Sequence, residues 1–207
     1  MRMRSRFAAG FALTGLLAGT LCARDRAKRM WTFNDETPGV IARGFTNEVG
    51  KWTVVASDSG RALAQSATNP NSVFNVALAG DTDAREVDLS VRMKAIAGEY
   101  DQGGGLVWRA RDVKNYYLAR YNPLEDNYRA YKVVNGKRTL LQNADIAHTA
   151  GWHTLHVTME GDHIECSYDG KKYLDVKDAT FPGAGKIGLW SKADAQSQFD
   201  DLTLVGR

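Results

Sequence analysis

Hydrophobic and polar residues alternate one by one along most of the chain after Met30, which is the pattern of half-buried β-strands. The segment EVDLSVRMK alternates in this way from Val87 to Met93, and GWHTLHVTME does so from Leu155 to Met159. No segment after Met30 shows a convincing helical period. The pattern therefore predicts an all-β fold of about a dozen strands.

Short polar turns separate these segments. Asp169-Gly170 and Asn135-Gly136 are residue pairs that adopt the positive φ angles of tight hairpin turns. The chain contains no linker, no low-complexity segment and no internal repeat that would divide it. We therefore expect residues 24–207 to form a single β-sandwich or β-barrel domain.

Residues 1–23 have the features of a secretory signal peptide. Three arginines and no acidic residue lie within the first six positions, an apolar segment follows at 7–21, and the small residue Ala23 stands at the predicted cleavage point. The apolar segment is shorter than the roughly 20 residues that a membrane-spanning helix needs. We therefore expect a secreted or periplasmic protein with no membrane span.

Removal of this segment changes the charge balance. The full sequence has 27 Lys and Arg residues against 24 Asp and Glu residues. Without the three arginines of the signal peptide, 24 basic residues stand against 24 acidic ones. A chain of balanced charge does not attract polyanions over long distances, which argues against nucleic acid as a partner.

Three consecutive glycines occur in DQGGGLVWRA, residues 101–110. A phosphate-binding loop would need a lysine after the last glycine and a helix behind it, and neither is present. Glycines at the start of a strand instead indicate a bulge or a close approach of two backbones.

The glycines lead into three predicted strands, GLVWRA, NYYLARYN and NYRAYKV, whose arginines alternate with apolar residues. Because an unpaired arginine is costly to bury, we expect the arginine-bearing faces to point away from the core and to lie together if consecutive strands pair. This shared face would carry Arg109, Tyr116, Arg120, Asn122, Arg129 and Tyr131.

Guanidinium groups beside aromatic rings suit sugar hydroxyls, carboxylates and ring stacking. Trp190 in IGLWS is an additional candidate for stacking, although it could also belong to the core. The alternative interpretation is a solvated sheet face on which the arginines pair with Glu125, Asp126 or Asp101.

The ordered segments GLVWRARDVKNYYLARYN, GWHTLHVTMEGDHIECSYDGKKYLDV and GAGKIGLWSKADAQSQFDDLTL resemble the concanavalin A-like lectin/glucanase superfamily. More narrowly, the chain is similar to secreted bacterial domains of the laminin-G-like, 3-keto-disaccharide hydrolase (family-16-like) group, over about residues 30–205. The resemblance implies a jelly-roll sandwich of two antiparallel sheets, with a ligand bound on or beside the concave sheet.

The resemblance also implies possible cofactors and catalytic groups. Some superfamily members bind structural calcium near the first and last strands, and the matching positions are Asp35, Asp200 and Asp201; no other cofactor is expected. Laminarinase-type relatives carry E-x-D-x-x-E on a strand, but Val91 stands here in place of the second glutamate.

Three functional hypotheses follow. The preferred one is a carbohydrate-binding, lectin-like domain that uses the Arg- and Tyr-bearing sheet. The second is a glycan-active hydrolase or lyase, for which Glu125 with His156 or Asp126 would supply the acid and base. The third is a structural or adhesive module that binds another protein.

Overall fold

The computed structural model describes residues 28–58 and 60–206, which form fifteen β-strands. The predicted signal peptide, residues 1–23, lies outside the described residues. Within the described part of the chain, no helix has the length and apolarity required to cross a membrane. The prediction of an all-β fold is therefore confirmed.

The strands, in chain order, are β1 (Lys28–Trp31), β2 (Phe45–Val49), β3 (Trp52–Ser57), β4 (Gly60–Gln65), β5 (Phe74–Ala79), β6 (Val87–Ala97), β7 (Gly104–Asp112), β8 (Asn115–Asn122), β9 (Asn127–Val134), β10 (Lys137–Asp145), β11 (Trp152–Glu160), β12 (His163–Tyr168), β13 (Lys171–Lys177), β14 (Lys186–Lys192) and β15 (Gln196–Val205).

The strands form two antiparallel sheets that pack as a sandwich. The eight-stranded sheet has the order β13-β12-β11-β6-β15-β4-β3, and β1 also pairs with β15. The seven-stranded sheet has the order β10-β9-β8-β7-β14-β5-β2. In the second sheet β7 to β10 are joined by consecutive hairpins, which include the predicted turn at Asn135-Gly136, so the three arginine-bearing strands are neighbours.

The core lies between the sheets and is built from every second residue of each strand. In the eight-stranded sheet, β6 contributes its alternating apolar residues from Val87 to Met93, and β11 those from Leu155 to Met159. In the seven-stranded sheet, Trp108 of β7 stacks on Tyr117 of β8, with ring centroids 5.7 Å apart. The predicted alternation is thus confirmed in both sheets.

Two hairpin turns have the geometry that their residues predict. Asn135 and Gly136 have φ angles of +51° and +81°, and Asp169 and Gly170 have φ angles of +48° and +79°. Positive φ at both central residues defines the type I′ turn, which matches the twist of the flanking strands. The first turn fixes the register of β9 against β10.

The glycine run at the start of β7 allows two backbones and a core ring to approach closely. A Cβ on Gly105 would lie 1.9 Å from the carbonyl oxygen of Ala119 on β8, and one on Gly104 would lie 2.6 Å from Phe199. Gly103 has a φ of +82°. The predicted close approach is therefore confirmed.

Asp178 anchors the turn after β13 to the seven-stranded sheet. Its carboxylate accepts hydrogen bonds from Lys132 Nζ at 2.6 Å, Tyr117 Oη at 2.7 Å and the backbone N of Thr180 at 2.8 Å. Burial by itself would raise the pKa of Asp178, but these hydrogen bonds lower it to about 2. The native state therefore favours the charged carboxylate.

Asp178→Asn is expected to lower the free energy of unfolding at pH 7 by about 2 kcal/mol, because hydrogen bonds to a charged, mostly buried group are lost. A carboxylate with a lowered pKa stabilises the native state above its ordinary value of 3.8 and loses that effect as the pH falls towards about 2. The difference between the variant and the wild type should shrink over that range. Urea unfolding at several pH values measures it, with exposed Asp83→Asn as control; a difference independent of pH would contradict it.

Candidate functional site

The outer face of the seven-stranded sheet, which points away from the eight-stranded sheet, carries a second apolar cluster. Because side chains alternate along a strand, the neighbours of the core residues Tyr117 and Ala119 emerge on this face. The cluster consists of Val76, Leu78, Val107, Ala110, Tyr116, Leu118, Tyr131, Val133 and Trp190, with Phe74 packed against it. Charged side chains of β8, β9 and β10 lie beside it.

Two arginines on this face share one carboxylate. Arg120 and Arg129 are direct register partners on β8 and β9, an arrangement that is unfavourable for like charges unless an anion lies between them. Arg120 Nη2 donates to Glu125 Oε2 at 2.8 Å, and Arg129 Nη1 donates to the same oxygen at 2.9 Å. Arg120, which is 1% exposed, also donates to Asn127 Oδ1 at 3.1 Å and to Tyr131 Oη at 3.3 Å. The two guanidinium groups are therefore held in fixed positions.

The turn between β8 and β9 places Glu125 over the sheet. Asn122 Oδ1 accepts hydrogen bonds from the backbone N of Leu124 at 2.9 Å and of Glu125 at 3.2 Å, which stabilises the turn. Burial by itself would raise the pKa of Glu125, but hydrogen bonds from Arg120 and Asn127 lower it to about 2. Glu125 is therefore an anion at neutral and mildly acidic pH.

A second polar group adjoins the first. Asp101 accepts hydrogen bonds from Asn122 Nδ2 at 2.8 Å and from Lys192 Nζ at 3.1 Å. Burial raises the pKa of Asp101, although the positive charges of Arg120 and Lys192 act in the opposite direction. Asn122 thus joins the two groups, since its oxygen holds the Glu125 turn and its nitrogen holds Asp101.

The loop that presents Asp101 is itself held by Asp194. The Asp194 carboxylate accepts hydrogen bonds from the backbone N of Glu99 at 2.7 Å, of Tyr100 at 3.1 Å and of Asp101 at 3.1 Å. Burial would raise the pKa of Asp194, but these backbone hydrogen bonds lower it. Asp194 is therefore a positioning residue for this side of the face.

Arg138 of β10 lies over three aromatic rings. Its guanidinium carbon is 4.5 Å from the ring centroid of Tyr131, 5.3 Å from that of Phe74 and 5.6 Å from that of Trp190. Trp190 is fixed in turn because its Nε1 donates to Tyr116 Oη at 3.1 Å. A cation over aromatic faces is attracted by the ring quadrupoles. Burial lowers the pKa of Arg138, but arginine remains charged at any ordinary pH.

Comparison with solved structures identifies the architecture. The chain is similar to the carbohydrate-binding module CBM66 from Bacillus subtilis, with a TM-score of 0.68 and 21% identity over 79% of this chain and 96% of that one. It is similar to a β-glucanase from Bacillus licheniformis, with a TM-score of 0.60 and 14% identity over 87% and 98% of the two chains. A Crh5 transglycosylase matches with a TM-score of 0.60 and 12% identity over 88% and 85%.

The fold is a concanavalin A-like jelly-roll sandwich. No protein-family model matches the sequence, and no curated protein matches it either. At these identities, the similarity to solved structures establishes the fold alone. The chemistry of the sandwich therefore depends on its own side chains.

Six of the seven residues that the sequence nominated as ligand contacts share the outer face of the sandwich's seven-stranded sheet. They are Tyr116, Arg120, Asn122, Arg129, Tyr131 and Trp190. The sequence alone did not decide whether Trp190 belongs to this face or to the core. The structure places it in the outer cluster, whereas its neighbours Ile187 and Leu189 lie in the core.

Arg109 does not share this face, contrary to the expected alternation. The pairing of β7 with β8 shifts after Trp108, and Arg109 has a φ of +47°. This bulge redirects its side chain, which donates to the carbonyl oxygens of Arg85 at 2.6 Å and Phe181 at 2.9 Å. Arg109 is therefore a buried link between two loops.

The three aspartates that the resemblance suggested as calcium ligands do not form a cation site in the described part of the sandwich. Asp201 pairs with Arg92 at 3.3 Å, and the buried Asp200 accepts a hydrogen bond from the backbone N of Asp201. Asp35 is exposed in a separate turn. The structure therefore does not bring these three carboxylates together.

Within residues 28–58 and 60–206, one group of side chains has the spacing of metal ligands: His163, Glu165 and Asp175. Lys172 Nζ donates to Glu165 at 2.6 Å and to Asp175 at 2.7 Å. The ammonium group already pairs with both carboxylates, so we assign no metal to them.

Of the two acid–base partners considered for Glu125, His156 lies too far away, and Asp126 is held by a backbone hydrogen bond. His156 alternates with core residues of β11 and lies on the outer face of the eight-stranded sheet, where its Nε2 is 2.9 Å from Asp88 Oδ1. Asp126 Oδ1 accepts a hydrogen bond from the backbone N of His148. The predicted pair of Glu125 with His156 is therefore wrong, since the two residues belong to opposite faces of the sandwich.

Sequence reasoning missed other members of the face, namely Phe74, Asn127, Arg138 and Lys192. The signal for Arg138 was present, because a two-residue turn at Asn135-Gly136 pairs Arg138 directly with Val133. Lys192 follows Trp190 by two positions and pairs with Phe74 on β5. That pairing joins strands far apart in the chain, and the sequence gives no local signal for it.

Proposed function

We propose that the protein binds carbohydrate on the outer face of the seven-stranded sheet. The observation that supports this most directly is the fixed arrangement of guanidinium, carboxylate and amide groups beside aromatic rings. Arg120, Arg129 and Glu125 form one rigid hydrogen-bonded unit, and Tyr131 lies next to it. Sugars need both elements, since their hydroxyls pair with planar polar groups and their C–H faces stack on rings.

The rigidity of these groups favours binding. Hydrogen bonds between the side chains and the turn hold Asn122 and Glu125 before any ligand arrives, so little conformational entropy is lost on association. The similar solved structures include a protein described as a carbohydrate-binding module and one described as a β-glucanase. They are consistent with the proposal, which rests on the side chains of this chain.

A glycan array probed with residues 24–207 tests the proposal. We expect Arg129→Ala/Tyr131→Ala to lower the affinity for the bound glycans at least tenfold, because it removes one hydrogen-bonding group and one stacking surface. Arg92→Ala/Trp152→Ala is a matched control, because Arg92 stacks on Trp152 at 5.0 Å in the other sheet. Circular dichroism establishes that both variants fold.

Two results of the array would contradict the proposal. If no glycan binds, the proposed function is wrong. If binding survives the Arg129/Tyr131 variant and is lost in the Arg92/Trp152 control, the function holds but its place in the structure is wrong.

Glycan hydrolysis is the second candidate function. It is favoured by the opposite pKa shifts of two carboxylates on this face, raised for Asp101 by burial and lowered to about 2 for Glu125. We rank it second because Glu125 is neutralised by two arginines and Asp101 is bonded to Asn122 and Lys192. Release of reducing ends from a panel of polysaccharides, abolished by Asp101→Asn, would favour hydrolysis over binding.

Export is part of the same proposal. A protein that binds glycans outside the cytoplasm needs a targeting signal, and residues 1–23 have the composition of one. Intact mass measurement of the protein from the producing cell should show a chain that begins near Arg24.

A further inference from the structure

We infer that the outer face selects glycans that carry an anionic group, a carboxylate or a sulfate, and that Arg138, next to Arg120, receives this group. The inference rests on the proposed carbohydrate binding and names the ligand class of the same face. Its basis is a pair of guanidinium groups whose hydrogen-bonding capacity is not fully used.

Both guanidinium groups lie close to the ring of Tyr131. The guanidinium carbon of Arg138 is 4.5 Å from the Tyr131 ring centroid, and that of Arg120 is 5.9 Å from it. The positive charge of Arg120 acts unfavourably on that of Arg138, and an anion bound at Arg138 would offset this repulsion. Tyr131 also supplies an aromatic surface for the sugar ring that carries the anion.

Each guanidinium group has an N–H with no acceptor. Arg120 Nε and Arg138 Nη1 are both buried and have no hydrogen-bond partner. An unsatisfied buried donor costs roughly 1–3 kcal/mol, and more when it is charged. A carboxylate or sulfate oxygen satisfies such donors better than a neutral hydroxyl, because charge-assisted hydrogen bonds are about twice as strong.

The carboxylates already on the face do not serve Arg138. Glu125 accepts from Arg120 and Arg129, and Asp101 accepts from Asn122 and Lys192. The ion pairs of the described residues include Arg120 and Arg129, but none of them includes Arg138. Asp101 and Glu125 act on Arg138 only from beyond ion-pair distance, which leaves room for the anion of a ligand at this cation.

The aromatic rings around Arg138 make the position specific. Phe74, Tyr131 and Trp190 surround the guanidinium group and exclude water from part of it. A partly desolvated cation attracts an anion more strongly than an exposed lysine does, because less water screens the two charges. The rings also hold the guanidinium group in place, so its free N–H is pre-organised.

Calorimetric titration with matched oligosaccharides tests the inference. The probes are trigalacturonate, its carboxyl-reduced neutral counterpart and a 6-O-sulfated galactotriose of the same length. We expect at least one anionic probe to bind about tenfold more tightly than the neutral one, and the two anionic probes together show whether carboxylate or sulfate is preferred.

Variants of Arg138 complete the test. Arg138→Met keeps an unbranched stem between the rings but removes the charge, and it should abolish the preference for the anionic probe over the neutral one. Arg138→Lys should keep part of the preference. Urea unfolding of each variant separates a loss of affinity from a loss of fold.

The outcomes separate this inference from the proposed function. If neutral glycans on the array bind and the anionic probes bind no better, the inference is wrong while carbohydrate binding stands. An anionic preference that survives Arg138→Met also overturns it. If neither the probes nor the array show any binding, the proposed function itself has failed.

Discussion

A Gly105→Ala variant is expected to lose about 3 kcal/mol or more of its free energy of unfolding, because the added methyl group cannot be accommodated by a side-chain movement. The new Cβ would lie 1.9 Å from the carbonyl oxygen of Ala119 and 2.7 Å from the Cα of Arg120. Both atoms are backbone of the adjacent strand, so β7 and β8 would have to separate. The same strands carry the candidate site, so the variant should also lose glycan binding.

Gly183→Ala is the matched control for this change. A Cβ at Gly183 would meet no atom within 4 Å, and its φ lies outside the left-handed region. The control should therefore have a free energy of unfolding within about 0.5 kcal/mol of the wild type. Urea or thermal unfolding of both variants measures the difference, and equal stabilities would show that the contact between β7 and β8 is looser than described.

A Glu125→Ala variant is expected to lower the free energy of unfolding by about 3 kcal/mol at pH 7, because it leaves a buried cation without the carboxylate that bonds to it. Arg120 is 1% exposed and would retain only the neutral oxygens of Asn127 and Tyr131 as direct acceptors. Arg120→Met should cost less, since Glu125 is partly exposed and keeps Arg129 as a partner. The asymmetry between the two variants identifies which charge is buried.

The pH dependence of this effect has a definite sign. The pKa of Glu125 is lowered from 4.5 to about 2, so its stabilising effect is complete above 4.5 and disappears as the pH falls towards 2. Denaturant unfolding of wild type and Glu125→Ala should therefore converge at low pH. Glu165→Ala, which removes an exposed partner of Lys172, should change stability by less than about 1 kcal/mol. If Arg120→Met lowered the free energy of unfolding more than Glu125→Ala does, Arg120 would not be the buried charge of this pair.

Much of the sandwich could be predicted from the sequence because each strand has one face in the core. A period of two assigns every residue of such a strand to a face, as it does from Val87 to Met93. Turn residues at Asn135-Gly136 and Asp169-Gly170 then join neighbouring strands in a defined register. The same two rules place Tyr116, Arg120 and Tyr131 on one surface.

The predictions failed where local rules were interrupted. A bulge at Arg109 shifts the alternation by one position, and nothing in the letters WRARD marks it. The pairing of β14 with β5 and β7 brings Trp190 and Lys192 into the candidate site across long stretches of chain. Contacts of that kind depend on sheet order, which alternation alone does not determine.

The bulged edge strand β10 also affects how molecules of this protein meet one another. β10 ends the seven-stranded sheet, and its pairing with β9 is irregular between Leu140 and Gln142. A charged residue, Lys137, stands at its start, and charges and bulges on an edge strand discourage the addition of a further strand. We therefore expect the protein to resist edge-to-edge aggregation at this side. The edge of the outer face then stays accessible, and a long glycan chain could extend past β10.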